Sequence, residues 1–436
     1  MERNNNWYEN AVFYHIYPLG LTGAPLSNQG DVTAGNRILQ VLDWIPHLQK
    51  LGITAVYFGP VWESGTHGYD THDYRILDTR LGTNDDFKVV CDALHHAGIR
   101  IVLDGVFNHV GRGFFAFLDV LEKREHSPYR DWFAGMNFGG NNSYNDGFSY
   151  ESWSGCQELV KLNLYNESVR RHLLDAVAMW MDEFHIDGLR LDAADCIQKD
   201  FFKELRHFVK SRRPDFWLMG EIIHGNYRDW ANEDMLDSVT NYECWKGIYS
   251  SHNDKNYFEI AHSLNRQFGK GGIYEGLHLY NFVDNHDVNR IYSLLTHKEN
   301  LLNVYTMLFT MPGMPSIYYG SEWGIEGEKI KGANADVPLR PAINIRDMAG
   351  INEGLIAHIA DLAREYCSNE TLRFGGFENV EIRNQQLVYA RYLDDAYTLV
   401  AFNLSEEPWE TEVTYGGDRH KISLGAYESK IVLKNN

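Results

Sequence analysis

Short apolar runs alternate with longer amphipathic stretches from one end of the chain to the other. Eight runs read as strands: AVFYHIYPL, TAVYFGP, IRIVLDGVF, IDGLRLDAA, FWLMGEII, DSVTNYE, LHLYNFVDNHD and PSIYYGSE. Segments between them, such as NRILQVLDWIPHLQKLG and SVRRHLLDAVAMWMDEFH, repeat their apolar positions with helical period. Eight strand-helix units predict an α/β fold, a closed parallel (β/α)8 TIM barrel rather than an open sheet. The rhythm breaks after the third run, where a stretch rich in Gly, Asn, Ser and Tyr predicts a small inserted domain over 111–161. From about Thr371 the segments ENVEIRNQQLVYARYL, YTLVAFNLS and SKIVLKNN alternate as antiparallel strands do. The expected organisation is a barrel over 1–110 and 162–370, the insertion, and a C-terminal antiparallel β-sandwich domain over 371–436.

Composition narrows the partner. With 60 acidic against 40 basic residues the formal net charge is −20, so the surface repels phosphate backbones and anionic headgroups, and neither nucleic acid nor membrane is an expected partner. Aromatics make up 14%, including 11 Trp and 26 Tyr. Most of these rings pack the core, and the remainder suit a neutral polar ligand such as a sugar. The N-terminus shows no basic stretch followed by a long apolar run, and no segment is apolar enough to span a bilayer. Five cysteines without CxxC spacing read as reduced thiols, so the expected location is cytoplasmic.

The chemistry-bearing residues cluster at the C-terminal ends of the strands, the face on which this fold builds its sites. DGVFNH runs from Asp104 to His109, GLRLD ends in Asp192, GEIIH holds Glu221 and His224, and FVDNHD holds Asn285, His286 and Asp287. Any one of these acids taken alone reads as a helix cap or a solvated rim residue. Arg190 lies two residues before Asp192, so on a strand both side chains face one way, and the guanidinium is placed to hold Asp192 ionised. Glu221 has no basic neighbour in sequence, so nearby Asp192 and Asp287 are expected to hold its proton to higher pH.

Four ordered motifs, with GITAVYFGPVWES, HGYDTHDY, VKLN and GMPSIYYGSE beside them, make the chain resemble the α-amylase family, glycoside hydrolase family 13, over nearly its whole length. Its nearest resemblance is to the cyclomaltodextrinase, neopullulanase and maltogenic amylase branch, without that branch's N-terminal β-domain. The resemblance implies a retaining α-glucoside hydrolase acting on α-1,4-linked maltooligosaccharides, cyclodextrins or starch fragments through a covalent glucosyl-enzyme. Asp192 would be the nucleophile, Glu221 the acid/base and Asp287 the transition-state stabiliser, with carboxyl groups about 5–5.5 Å apart for retention. Tyr69, Asp104, His109, Arg190, His224, Asn285 and His286 would bind substrate. A transglycosylase or isomerase using the same glucosyl-enzyme, and a non-catalytic carbohydrate-binding or partner scaffold, are the alternatives. No cofactor is required. Calcium stays open: Asn108 matches a family ligand, yet Asp195 and Cys196 replace the Lys-His pair whose His carbonyl completes that site in many relatives. A monomer or a homodimer is compatible with the sequence.

Overall fold

The computed structural model describes residues 6–30, 35–332 and 334–434. Eight short parallel strands form the barrel: β1 Phe13–Ile16, β2 Ala55–Phe58, β3 Arg100–Gly105, β4 Gly188–Leu191, β5 Trp217–Gly220, β6 Ser238–Val239, β7 Tyr280–Phe282 and β8 Met314–Tyr318. They pair in the order β6-β5-β4-β3-β2-β1-β8-β7. A parallel bridge between Thr240 and Tyr280 brings the two ends of this sheet together. Each of the eight apolar runs supplies one strand, and nearly every strand residue is buried, as expected for a sheet covered on both faces.

The helices around the strands are α1 Ile45–Leu51, α2 Asn84–His96, α3 Glu167–Glu183, α4 Lys199–Arg212, α5 Tyr242–Asn253, α6 Tyr257–Phe268, α7 Leu301–Thr310 and α8 Glu353–Ser368. Side-chain oxygens start several of them. Thr83 and Asp86 form a reciprocal capping box on α2, Asn166 accepts from Ser168 at the start of α3, and Asn241 accepts from Cys244 on α5. The repeat is not uniform: between β5 and β6 the chain makes only a single turn, Tyr227–Asp229, and the next connection carries two helices.

Alternation along the strands gives the barrel two different ends. At the N-terminal end Phe13 and Trp217 stack at 4.8 Å between ring centroids, with Tyr8 and Tyr280 packed against Trp217. Gly188 makes room for this plug, because a Cβ there would lie 2.7 Å from the Trp217 carbonyl oxygen. Two residues further along β1, β2, β3 and β4 the inward positions are polar: His15, Tyr57, Asp104 and Arg190.

Between β3 and α3 the chain leaves the barrel and forms a small antiparallel sheet in which Cys156–Lys161 pairs with both His109–Gly111 and Ser152–Trp153. After α8 come β9 Gly376–Ile382, β10 Gln386–Leu393, β11 Ala396–Asn403, β12 Trp409–Tyr415, β13 Asp418–Leu424 and β14 Ser429–Lys434. β9, β10, β11 and β14 make one antiparallel sheet and β12 with β13 another. Val388, Ala390, Leu399 and Ala401 meet Trp409, Val413, Ile422 and Leu424 between them. The opposite face, with Leu387, Tyr389, Val400 and Phe402, joins the core around the barrel. Among the described residues no helix is long and apolar enough to cross a membrane.

Candidate active site

Strand register assembles the site. Asp104 on β3 and Met219 on β5 both pair with Arg190 on β4, so side chains far apart in sequence share one level of the barrel. One inward step further the chain places Asp192 and Glu221. Backbone bonds fix that step: Asp192 N–H donates to Gly105 at 3.1 Å and Glu221 N–H donates to Leu191 at 2.9 Å. Ala193 then turns in the left-handed region, φ 43°, a conformation that costs a non-glycine residue about 1–3 kcal/mol. In that turn its N–H donates to Glu221 Oε2 at 3.3 Å.

Arg190 is the hub. Its Nη1 lies 2.9 Å from Asp104 Oδ1 and 2.8 Å from Asp192 Oδ1, while Nη2 lies 2.8 Å from Glu221 Oε2. Glu221, which has no basic neighbour in sequence, has one in space. The basic neighbour lies across the sheet, invisible to a reading along one strand. Asp104 is fully enclosed, since Tyr57 and Tyr69 hydroxyls also donate to it at 2.8 and 3.2 Å. Tyr242 donates to Glu221 Oε1 at 3.1 Å and itself accepts from the Asn285 amide at 3.1 Å.

The second half of the site rises from β7. Asp287 N–H donates to the Asn285 side-chain oxygen at 2.8 Å, so the Asn285 amide is occupied by Tyr242 and by its own loop. Asp287 lies 3.1 Å from His286 Nε2 and 2.8 Å from Arg340 Nη2. Arg340 also donates to the His286 carbonyl at 3.0 Å and lies over the Tyr17 ring. Tyr69 stacks on His286 and bonds to its Nε2, while Tyr17 stacks on His286 at an interplanar angle of 8°. His109 is buried, its Nε2 lying 3.9 Å from Asp192 Oδ2 and having no hydrogen-bond partner among the described residues. His224 is exposed on the loop after β5.

Electrostatics separate the acids. Burial raises the Asp192 carboxyl well above the usual range; Arg190 opposes this, and Glu221 and Asp104 reinforce it. Arg190 thus favours the charged form of Asp192, as its sequence spacing suggests, while burial and the neighbouring carboxylates oppose it. Asp287 goes the other way: against the cost of burial, His286 and Arg340 hold it well below the usual carboxylate range. Burial lowers His109 to about 3, so its ring is neutral.

Asn108 is buried beside His109. Its amide nitrogen is bonded to His109 Nδ1 at 3.1 Å, and among the described residues no group of three or more His, Cys, Asp or Glu side chains is placed to hold a metal ion. Several site residues carried no sequence signal. Tyr17, Tyr242 and Arg340 lie outside the four motifs, and only Tyr57 follows from the alternation that also points Asp104 inward.

Residues 16–373 match the family model described as alpha amylase, catalytic domain. A cyclomaltodextrinase of a Bacillus species is 31% identical over 91% of this chain and 73% of its own length. A maltogenic alpha-amylase of Bacillus acidopullulyticus is 28% identical over 98% of this chain and 75% of its own length. The cyclic α-maltosyl-(1→6)-maltose hydrolase of Arthrobacter globiformis, solved in complex with cyclic α-maltosyl-(1→6)-maltose, superposes with a TM-score of 0.86 at 27% identity, covering 98% of this chain and 99% of that one. With the carboxylates gathered at the C-terminal end of an eight-stranded barrel, these matches establish that the chain belongs to the α-amylase family of glycoside hydrolases.

Proposed function

We propose that the protein hydrolyses α-1,4-glucosidic bonds in short or cyclic maltooligosaccharides with retention of configuration. The observation that carries the reading is the attachment of Asp192 and Glu221 to neighbouring nitrogens of one guanidinium, which fixes two carboxyl groups side by side. In the first step Glu221 gives its proton to the glycosidic oxygen while Asp192 attacks the anomeric carbon; the bond to the leaving sugar breaks and a glycosyl ester forms on Asp192. In the second step Glu221, now a carboxylate, takes a proton from water, whose oxygen attacks the same carbon and releases Asp192.

Three acids around one base supply the proton that step one consumes: Asp104, Asp192 and Glu221 carry more negative charge than Arg190 neutralises. Asp287, held ionised by His286 and Arg340, supplies fixed negative charge near the developing oxocarbenium ion. Tyr69 and the free Nε2 of His109 border the same space and suit one face and one hydroxyl of a glucose ring. Relatives named for cyclomaltodextrin and cyclic maltosyl-maltose support the choice of substrate.

Asp192→Asn and Glu221→Gln are each expected to lower turnover on maltotriose at least about a thousandfold while the fold is kept. NMR of the first-formed product should show the α-anomer; the β-anomer would overturn retention. Specificity constants for maltotriose and β-cyclodextrin should exceed that for soluble starch. Products longer than the substrate would instead assign the enzyme to glycosyl transfer.

A further inference from the structure

On a chain of net charge −20, one helix carries a cationic face. Lys203, Arg206, His207 and Lys210 of α4 lie three and four residues apart, a spacing that puts them on one side of the helix. All four line a cavity of about 750 Å³, a volume within the range of small-molecule sites. The Tyr8 ring lines it too, and packs on Trp217 in the aromatic plug at the N-terminal end of the barrel. The cavity therefore opens at the end away from Asp192 and Glu221.

Two of its cations are held in place from behind. Arg206 Nη1 lies 2.8 Å from Asp237 Oδ1 and Lys210 Nζ lies 3.0 Å from Asp237 Oδ2, while the Leu218 N–H donates to that same Oδ2 at 2.9 Å. One carboxylate thus serves two cations and a peptide group. Burial lowers the Lys210 ammonium and Asp237 opposes this, so an anion entering the cavity would act in the same sense as Asp237. Lys210 Nζ also stands 5.7 Å from the centre of the Tyr8 ring. Positive charge and an aromatic surface lie side by side.

The lining is not cationic throughout. Glu233 and Asp234, exposed in the loop before β6, also border the cavity, and Lys203 lies 3.3 Å from Asp200. A polyanion would meet these carboxylates as well as the cations. A small ligand with one anionic group and several hydroxyls suits both: Arg206 and Lys210 donate to a phosphate, hydroxyls donate to Glu233 and Asp234, and an apolar ring face meets Tyr8.

We propose that this cavity is a binding site for a phosphorylated monosaccharide. It is separate from the carboxylate cluster and independent of the α-glucan reading above.

The test is calorimetric titration of the full chain, in phosphate-free buffer at low ionic strength, with glucose 6-phosphate, inorganic phosphate and glucose. Glucose 6-phosphate should bind one molecule per chain, and at least about tenfold more tightly than either of the others, since each supplies only part of its contacts. Lys203→Glu, at an exposed position, and Lys210→Met, which leaves Arg206 on Asp237, should each weaken it at least about tenfold with the urea midpoint little changed. Lys88→Glu, the same charge reversal on α2, should leave the affinity as it was. Inorganic phosphate binding as tightly as glucose 6-phosphate would overturn the sugar assignment. Wild-type affinity in both cavity variants, or an equal loss in Lys88→Glu, would overturn the site, the first placing the ligand elsewhere and the second reducing the effect to overall charge.

Discussion

Two arginines lie buried where the barrel strands end, and they are used in opposite ways. Arg190 faces the barrel axis and touches three carboxylates directly. Arg290, in the loop after β7, makes no ion pair with a carboxylate among the described residues; its guanidinium donates to the Tyr319 and Leu339 carbonyls at 2.9 and 3.0 Å and to Ser321 Oγ at 3.1 Å. The acids nearby are shared out. Asp284 accepts from Ser321 Oγ at 2.7 Å and Ile291 N–H at 2.9 Å, while Glu322 receives the Tyr14 hydroxyl at 2.6 Å and His47 at 2.8 Å. One cation set against three acids forces the inner cluster to hold a proton. The outer cluster distributes its charges over hydroxyl, imidazole and peptide donors. Crowding suits chemistry and distribution suits anchoring, and the period of β1 divides the two, with His15 turned inward and Tyr14 outward.

If the outer cluster is an anchor, removing one of its members should cost the most stability. Arg290→Met or Glu322→Ala leaves buried polar partners unmatched, and each is expected to lower unfolding free energy by about 3–5 kcal/mol. Urea denaturation checks this. Turnover per folded molecule should stay near wild type, and a comparable loss of kcat without a shift in midpoint would break the comparison.

The inner cluster should respond in the other variable. Arg190→Lys keeps the charge but offers a point donor in place of a planar fork, and cannot align Asp104, Asp192 and Glu221 together. A reduction of kcat/KM on maltotriose of about a hundredfold is expected, since small misplacements of reacting groups cost that much. Arg290→Lys measured beside it should fall far less in kcat/KM than in urea midpoint.

How far these roles were legible in the sequence follows from the same geometry. Asp192, Glu221 and Asp287 stand at strand ends in motifs that a linear reading detects, and the eight strands show as apolar runs. Contacts across the sheet do not show. The 2.8 Å link from Arg190 to Glu221 depends on the register that sets Met219 beside Arg190, and Arg340 reaches Asp287 from 53 residues away in the loop after β8. The helix implied between β5 and β6 fails for a local reason: GNYRDWANED holds only a capped turn before β6 begins. His224 is exposed on this loop.

Titration sharpens the contrast further. Asp192 is raised in the folded state, so the stability it contributes is fully present below its unfolded pKa of about 3.9 and is lost as pH rises through the higher folded value. Asp192→Asn, which cannot ionise, should therefore gain stability over wild type as pH climbs from about 4 towards neutrality, in denaturation curves taken across that range. For the same reason the acidic limb of kcat/KM should lie above the usual aspartate range, because Asp192 must be ionised to attack. Asp287, held low, remains charged throughout and adds nothing to that limb. A limb at or below about 3.9 would mean that Asp192 is not the group that titrates.

The smallest expected effects come from two tyrosines on neighbouring strands, each donating one hydroxyl to a buried acid. Tyr57 donates inward to Asp104 at 2.8 Å and Tyr14 outward to Glu322 at 2.6 Å. Removing either hydroxyl leaves the acid other partners: Arg190 and Tyr69 for Asp104, His47 for Glu322. The loss in each case should be near that of one hydrogen bond, about 1–2 kcal/mol. It should surface in different measurements. Tyr57→Phe loosens the acid that steadies Arg190, so turnover should drop by roughly fivefold or more for 1 kcal/mol, with little change in midpoint. Tyr14→Phe weakens a contact on the barrel's outer face, so the urea midpoint should fall while kcat holds. If both variants moved the same observable, the division of the barrel end into a reacting inner cluster and an anchoring outer one would be wrong, whatever the larger substitutions had shown.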